Sequence, residues 1–147
     1  MFRKLENAIA KRETRNLIIE ALTKSVEMGC FHLSPNECAK SLIDLQSISD
    51  PGIFAAKKTG APHPPLLGAL LIANMATHAD LGKNRKGTIL AALYLLAKFE
   101  SWAIHSAKLG RSANETELML LDQIEEKMPP LLGELGDIPH GLDRLIR

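Results

Sequence analysis

The segment 82–88 carries the side chains best suited to binding an anion. It reads Gly-Lys-Asn-Arg-Lys-Gly-Thr, so three cations and two glycines stand immediately before a predicted helix. Free amides at a helix N-terminus and the helix dipole both attract negative charge, which predicts an anion or phosphate site. The residues predicted to form this site are Lys83, Asn84, Arg85, Lys86 and Thr88. The order of the glycines and the lysine is not that of a P-loop. The alternative to an anion site is a solvated loop between two apolar helices.

A second candidate site lies on the helix predicted before this loop. Leu67, Leu71, Asn74 and His78 fall at i, i+4, i+7 and i+11, so a polar pair continues an apolar ridge. Asn74 and His78 therefore suggest a polar pocket. The alternative is that a buried Asn and His satisfy helix ends or each other, or that an exposed pair has no role.

The helix predicted after the loop carries a polar stripe on an otherwise apolar circumference. Its members are Tyr94, Lys98, Ser101, His105 and Lys108. Such a stripe could bind an anionic ligand or present His105 as a base. We favour the simpler interpretation, that it is the solvent-facing side of a core helix.

Metal and catalytic signals are weak. Cys30, His32 and Cys38 supply three soft ligands, whereas a structural zinc site uses four, so no metal or other cofactor is predicted. The remaining histidines, such as His63, are isolated, and a single histidine defines no reaction. An enzyme is therefore less expected than a binding protein, and no catalytic residues are assigned.

Two long apolar segments, residues 65–80 and 88–109, flank the basic loop and form the predicted centre of the fold. Both are rich in Leu and Ala and longer than a typical strand, which predicts an antiparallel helical hairpin. The residues expected to be buried and mutually close are Leu71, Leu93, Leu96 and Phe99. The first segment is too short to span a membrane and the second contains Lys98 and Glu100, so no membrane partner is predicted.

Two amphipathic helices are predicted before the hairpin. Residues 3–28 form the first, broken near Thr14 and ended by Gly29 as a C-cap. Ser34 is the N-cap of the second helix, which runs to about Gln46. The residues expected on the buried side of the second helix are Cys38, Ala39, Leu42, Ile43 and Leu45.

Shorter elements and one further helix complete the prediction. One or two helical turns are expected within residues 52–58, followed by an extended, proline-rich connection at 61–65. A capping box of Asn114 and Glu117 begins a helix that ends before Pro129. Other short turns or helices are predicted at residues 131–134 and 141–146.

These signals predict one all-α domain over residues 1–147, a compact bundle of about five to six helices. The net charge is +1, but residues 51–111 carry eight basic and two acidic side chains, whereas residues 112–147 carry three basic and eight acidic ones. Two cysteines and no signal peptide favour a reducing, cytoplasmic location.

The function predicted from these features is protein–protein interaction, as an adaptor, regulator, chaperone or immunity-type protein. A homodimer through the hairpin is expected, because apolar residues surround both of its helices and the other helices have only one apolar stripe each. The alternatives are a binder of nucleic acid or of a phosphorylated ligand through residues 82–88, and an enzyme of unknown reaction. Near-zero net charge and few aromatic residues weigh against nucleic acid.

Overall fold

The computed structural model describes residues 2–54 and 63–135. These residues form five α-helices: α1 Phe2–Glu27, α2 Pro35–Ser49, α3 Pro64–His78, α4 Arg85–Lys108 and α5 Glu115–Gly133. Two short 3-10 helices, Pro51–Phe54 and Gly82–Asn84, follow α2 and precede α4. No strand occurs within these ranges, and the predicted all-α helical bundle is confirmed.

The predicted hairpin is α3 and α4, which form the most extensive helix pair of the bundle. α1 packs against both of them, α5 covers α3, and α2 lies mainly on α1. The hairpin helices are apolar around most of their circumference, so burial from several sides is what their sequences require. Gly68 permits the close approach of α3 to α4, because an added Cβ would lie only 2.9 Å from Leu95 Cδ1.

The core prediction for the hairpin is confirmed for three residues of four. Leu71, Leu93 and Phe99 belong to one cluster of buried side chains, whereas Leu96 is only half-buried at its edge. The segment Gly82–Lys108 is long and apolar enough to cross a membrane by length and composition, and 61% of an 18-residue apolar window within it is buried inside the fold.

The predicted break in the first helix is wrong, because α1 continues through Thr14. The Thr14 hydroxyl donates a hydrogen bond to the carbonyl oxygen of Ala10 at 2.8 Å and is buried. A threonine that bonds the preceding turn in this way stays within a helix without exposing an unpaired polar group. The predicted C-cap is confirmed, since Gly29 has a φ of +76°, a conformation that favours glycine.

The second helix begins as predicted, with the Ser34 hydroxyl accepting a hydrogen bond from the Glu37 amide. It ends at Ser49, three residues later than expected. Leu45 was predicted to be buried, and this is wrong: its side chain is 61% exposed. α2 buries Ala39, Leu42 and Ile43, but it has few contacts with α3. The side of α2 that carries Leu45 is therefore left open.

The predicted end of the last long helix is also wrong, because Pro129 and Pro130 lie inside α5. Each proline leaves the carbonyl group four residues earlier without its helical donor. Residues 125–126 and both prolines are exposed, so water can bond those carbonyls. Met128 and Leu131 are buried on the other side of the helix and hold it against the bundle. The capping box of Asn114 and Glu117 at its start is confirmed.

The connection into the hairpin differs from the prediction at its end. Pro64 and Pro65 are not extended but occupy the first two positions of α3, where a missing amide hydrogen costs nothing. His63, immediately before them, is extended. Of the short turns predicted elsewhere, residues 51–54 form one, and residues 131–133 continue α5. Residues 55–62 and the predicted turn at 141–146 lie outside the described ranges.

Candidate functional site

The predicted anion loop uses its polar side chains within the fold. Asn84 is buried, and its side-chain oxygen accepts a hydrogen bond from the backbone amide of His32 at 2.7 Å. Thr88 is fully buried, and its hydroxyl donates to the carbonyl oxygen of Asn84 at 2.8 Å. The Asn84 side chain therefore joins the α1–α2 connection to the start of α4, whereas Thr88 bonds within the first turn of α4.

The start of α4 is also closed by backbone hydrogen bonds. The 3-10 helix Gly82–Asn84 runs directly into α4, and the Asn84 and Arg85 amides donate to the carbonyl oxygens of Leu81 and Gly82. The first amide of α4 is thus bonded by the preceding turn and is not free to bind an anion.

Arg85 is likewise engaged within the fold. Its guanidinium group donates two hydrogen bonds to the Glu134 carboxylate, at 2.6 and 2.9 Å, and a third to the Ala76 carbonyl oxygen. The hydrogen bond from Arg85 lowers the pKa of Glu134. Of the five predicted residues, Lys83 and Lys86 alone are exposed. Anion binding by this loop stays a prediction, and it now rests on these two lysines.

The predicted pair Asn74 and His78 lies at a groove between α2 and α3, here called the α2–α3 groove, with a volume of about 620 Å³. The groove is more apolar than predicted. Its walls are formed by Leu33, Ser34, Glu37, Cys38, Ser41, Leu42, Leu45, Gln46, Ser49, Leu71, Asn74, Met75, His78 and Ala79.

Two features of the α2–α3 groove bear on its chemistry. Cys38 Sγ lies 3.5 Å from Met75 Sδ, and burial raises the pKa of the Cys38 thiol, so the pair presents a neutral, polarisable surface. The side-chain oxygen of Asn74 is buried and has no hydrogen-bond partner. Leaving such an acceptor unpaired is energetically costly. The groove therefore contains a residue whose hydrogen-bonding capacity is not fully used.

A second cavity, here called the Trp102 cleft, was not predicted as a site. It has two lobes, of about 650 and 570 Å³, which share Glu13, His63, Pro64 and Trp102. The His63 ring stacks on Trp102, with centroids 4.1 Å apart, and His63 Nδ1 is buried without a hydrogen-bond partner. Burial lowers the pKa of His63, and the nearby carboxylates of Glu117 and Glu13 only partly oppose this effect.

The polar stripe of α4 contributes to this cleft, and only part of it faces solvent. Lys98, Ser101 and His105 line the larger lobe. Tyr94 is buried, and its hydroxyl donates to a Glu20 carboxylate oxygen at 2.9 Å. The interpretation of the whole stripe as a solvent face is therefore wrong for Tyr94. Only the three-dimensional packing of α1 on α4 places Glu20 beside this stripe.

No group of three or more His, Cys, Asp or Glu side chains that could hold a metal occurs in the described part of the chain. Cys30 Sγ donates a hydrogen bond to the carbonyl oxygen of Ser25 at 3.5 Å.

Comparison of the chain with protein-family models, with curated proteins and with solved structures found no match.

Proposed function

We propose that the protein acts by protein–protein interaction and that the α2–α3 groove receives an amphipathic helix of a partner protein. The observation that carries this proposal is the apolar surface beside the groove. Leu33, Leu45 and Ile48 are 49, 61 and 82% exposed. Large apolar side chains that remain exposed next to an apolar groove are typical of an interaction site.

The shape of the groove favours a helix as the bound element. α2 has 15 residues, and a helix of that length spans about 22 Å. A partner helix lying along it would present apolar side chains at i, i+3 or i+4, and i+7 to the two walls. Leu71 and Met75 on α3 face such anchors from the opposite wall. The flexible Met75 side chain adapts to their shape.

Charge further defines the partner. Among the groove-lining residues, which all belong to the described part of the chain, Glu37 is the only Asp, Glu, Lys or Arg. It lies in the first turn of α2, at one end of the groove. A lysine or arginine at the corresponding end of the partner helix would complement it. We therefore propose a mainly apolar partner helix with a basic residue near one end.

The homodimer predicted from the sequence remains a separate prediction, although the packing weakens the reason for it. Ten of the fifteen residues of α3 are buried by the helices of the same chain. The hairpin therefore does not require a second copy to cover it. If two copies associate, the exposed apolar residues of α2 are a better candidate interface than the hairpin.

The test is selection of helical peptides from a displayed library on the purified protein, followed by affinity measurement with two variants. Leu45→Glu places a charge on the groove, whereas Ile104→Glu makes the same change at a side chain of α4 that is 62% exposed and outside it. We expect apolar, basic-ended helices to be selected. Their affinity should fall at least about tenfold with Leu45→Glu and remain unchanged with Ile104→Glu.

Two outcomes would overturn the proposal. Selected peptides that bind both variants equally would place the interface elsewhere. The second outcome would come from sedimentation. If the protein is a dimer that Leu45→Glu dissociates, the natural occupant of the groove is another copy of this chain and not a partner helix.

A further inference from the structure

The Trp102 cleft is independent of the α2–α3 groove and has the properties of a small-molecule site. Its two lobes meet at the junction of α1, α3, α4 and α5. Each has a volume within the range of ligand pockets, which are mostly apolar with a few polar groups. Pro64, Pro65 and Leu17 form apolar surface beside the Trp102 ring.

Aromatic rings form one side of the cleft. His63 stacks on Trp102, and the Phe99 ring is tilted against Trp102 with centroids 5.6 Å apart. The face of an aromatic ring attracts cations, and tryptophan does so most strongly. Burial lowers the pKa of His63 and so favours the neutral imidazole, which does not oppose this attraction.

The charged side chains of the cleft favour a cation as well. Glu13 lines both lobes, and the buried carboxylate of Glu117 lines the smaller one. Lys98 is already neutralised by Glu20, at a distance of 2.5 Å. Among the described residues that line the cleft, Arg111 in the smaller lobe is therefore the cation left to oppose two carboxylates.

One polar atom in the wall of the cleft has no hydrogen-bond partner. His63 Nδ1 is buried and unpaired, whereas the backbone amide of the same residue donates to Glu117 at 3.3 Å. In a neutral imidazole one ring nitrogen is an acceptor. The Nδ1 atom is covered by the surrounding protein atoms, so it is an unpaired acceptor within the wall of the cleft.

We propose that the Trp102 cleft binds a small organic ammonium ion that carries an apolar or aromatic group. The ammonium group lies against the Glu13 carboxylate, and the apolar group lies against Trp102 and the prolines at the start of α3. This places a ligand site at the opposite end of α3 from Asn74 and His78, which the sequence had suggested as a pocket.

The test uses phenethylamine as the probe and phenylpropionate, which has the same ring and the opposite charge, as its matched control. Trp102 is the one tryptophan of the chain, so its fluorescence reports the cleft directly. We expect saturable binding of phenethylamine and binding of phenylpropionate at least about tenfold weaker.

Two variants distinguish this site from non-specific attraction of an amine. Glu13→Gln should weaken phenethylamine binding about fivefold or more, whereas Glu27→Gln removes an exposed carboxylate of the same helix outside the cleft and should have no effect. Calorimetric titration provides a readout that does not depend on tryptophan. The proposal is overturned if phenethylamine does not bind, if phenylpropionate binds equally well, or if both variants behave alike.

Discussion

Gly87 offers the sharpest test of the packing, because its role in the structure differs from the role its sequence suggests. In the loop 82–88 it resembles a glycine that lets a backbone approach an anion. In the structure it is buried where α4 crosses the α1–α2 connection. A Cβ at this position would lie 2.2 Å from the carbonyl oxygen of Cys30 and 3.0 Å from Phe31 Cβ. Neither atom belongs to a side-chain end that can rotate away.

The expected destabilisation by Gly87→Ala combines three effects. Relieving the overlap requires the two segments to separate by about 1 Å, and overpacking of this kind costs about 1–3 kcal/mol. The movement also strains the buried hydrogen bond that the Ser25 hydroxyl donates to the Gly87 carbonyl oxygen at 2.6 Å, which contributes about 1 kcal/mol. Alanine regains about 1 kcal/mol of helix propensity. The free energy of unfolding should therefore fall by about 1–3 kcal/mol, a loss of about 2–12 °C in melting temperature.

Thermal unfolding followed by circular dichroism measures this effect, with Gly133→Ala as the control. Gly133 is exposed in α5, and an added Cβ there meets no atom within 4 Å. Alanine at that position should leave stability unchanged or raise it by up to about 1 kcal/mol. If Gly87→Ala melts at the wild-type temperature, or if both variants shift together, the close approach of α4 to Cys30 is incorrect.

Three further predictions address the core, the Trp102 cleft and the basic loop. Phe99→Ala should lower the free energy of unfolding, measured by urea titration, by about 3–5 kcal/mol because Phe99 is 2% exposed. Leu118→Ala, at a side chain that is 54% exposed, should lower it by less than about 0.5 kcal/mol. Equal losses in the two variants would contradict the assigned burial. The lowered pKa of His63 means that the unfolded chain binds the proton more tightly, so stability should decrease as the pH falls below about 6.5, and His63→Gln should flatten that dependence. Replacing Lys83 and Lys86 with serine should abolish salt-sensitive retention on a phosphate or heparin matrix if the loop binds anions, and unchanged retention would support the solvated-loop interpretation.

The existence and order of the helices could be predicted because their signals are local. Ser34 and Asn114 bond amides three residues away, and Gly29 adopts the left-handed conformation that ends a helix. These interactions depend on neighbours in the chain, so a sequence reveals them directly. The two prolines inside α5 mark the limit of this reasoning. They do not end the helix, because burial of its opposite face holds α5 against the bundle through the turn that the prolines disrupt.

Side-chain surroundings were the harder part, because they depend on residues far apart in the sequence. Asn84 has the residue type and the position expected of a residue that binds an anion. In the structure, however, its side-chain oxygen accepts a hydrogen bond from the amide of His32, 52 residues earlier. Leu45 has the spacing of a core residue, yet α2 packs too sparsely on α3 to cover it. Periodicity gives the face on which a residue lies, but the neighbouring element decides whether that face is buried.

The sequence by itself determined an all-α chain with an apolar hairpin and the capped starts of α2 and α5, since hydrophobic periodicity and capping act over a few residues. Tertiary structure decided the candidate sites. The Trp102 cleft joins Glu13, His63 and Trp102 from three helical regions, and no short motif links them. The α2–α3 groove exists because α2 packs on α1 and leaves one side open towards Asn74. Both sites arise from the relative placement of the helices. That placement depends on how apolar surface is buried over the whole chain, so no local sequence pattern specifies it.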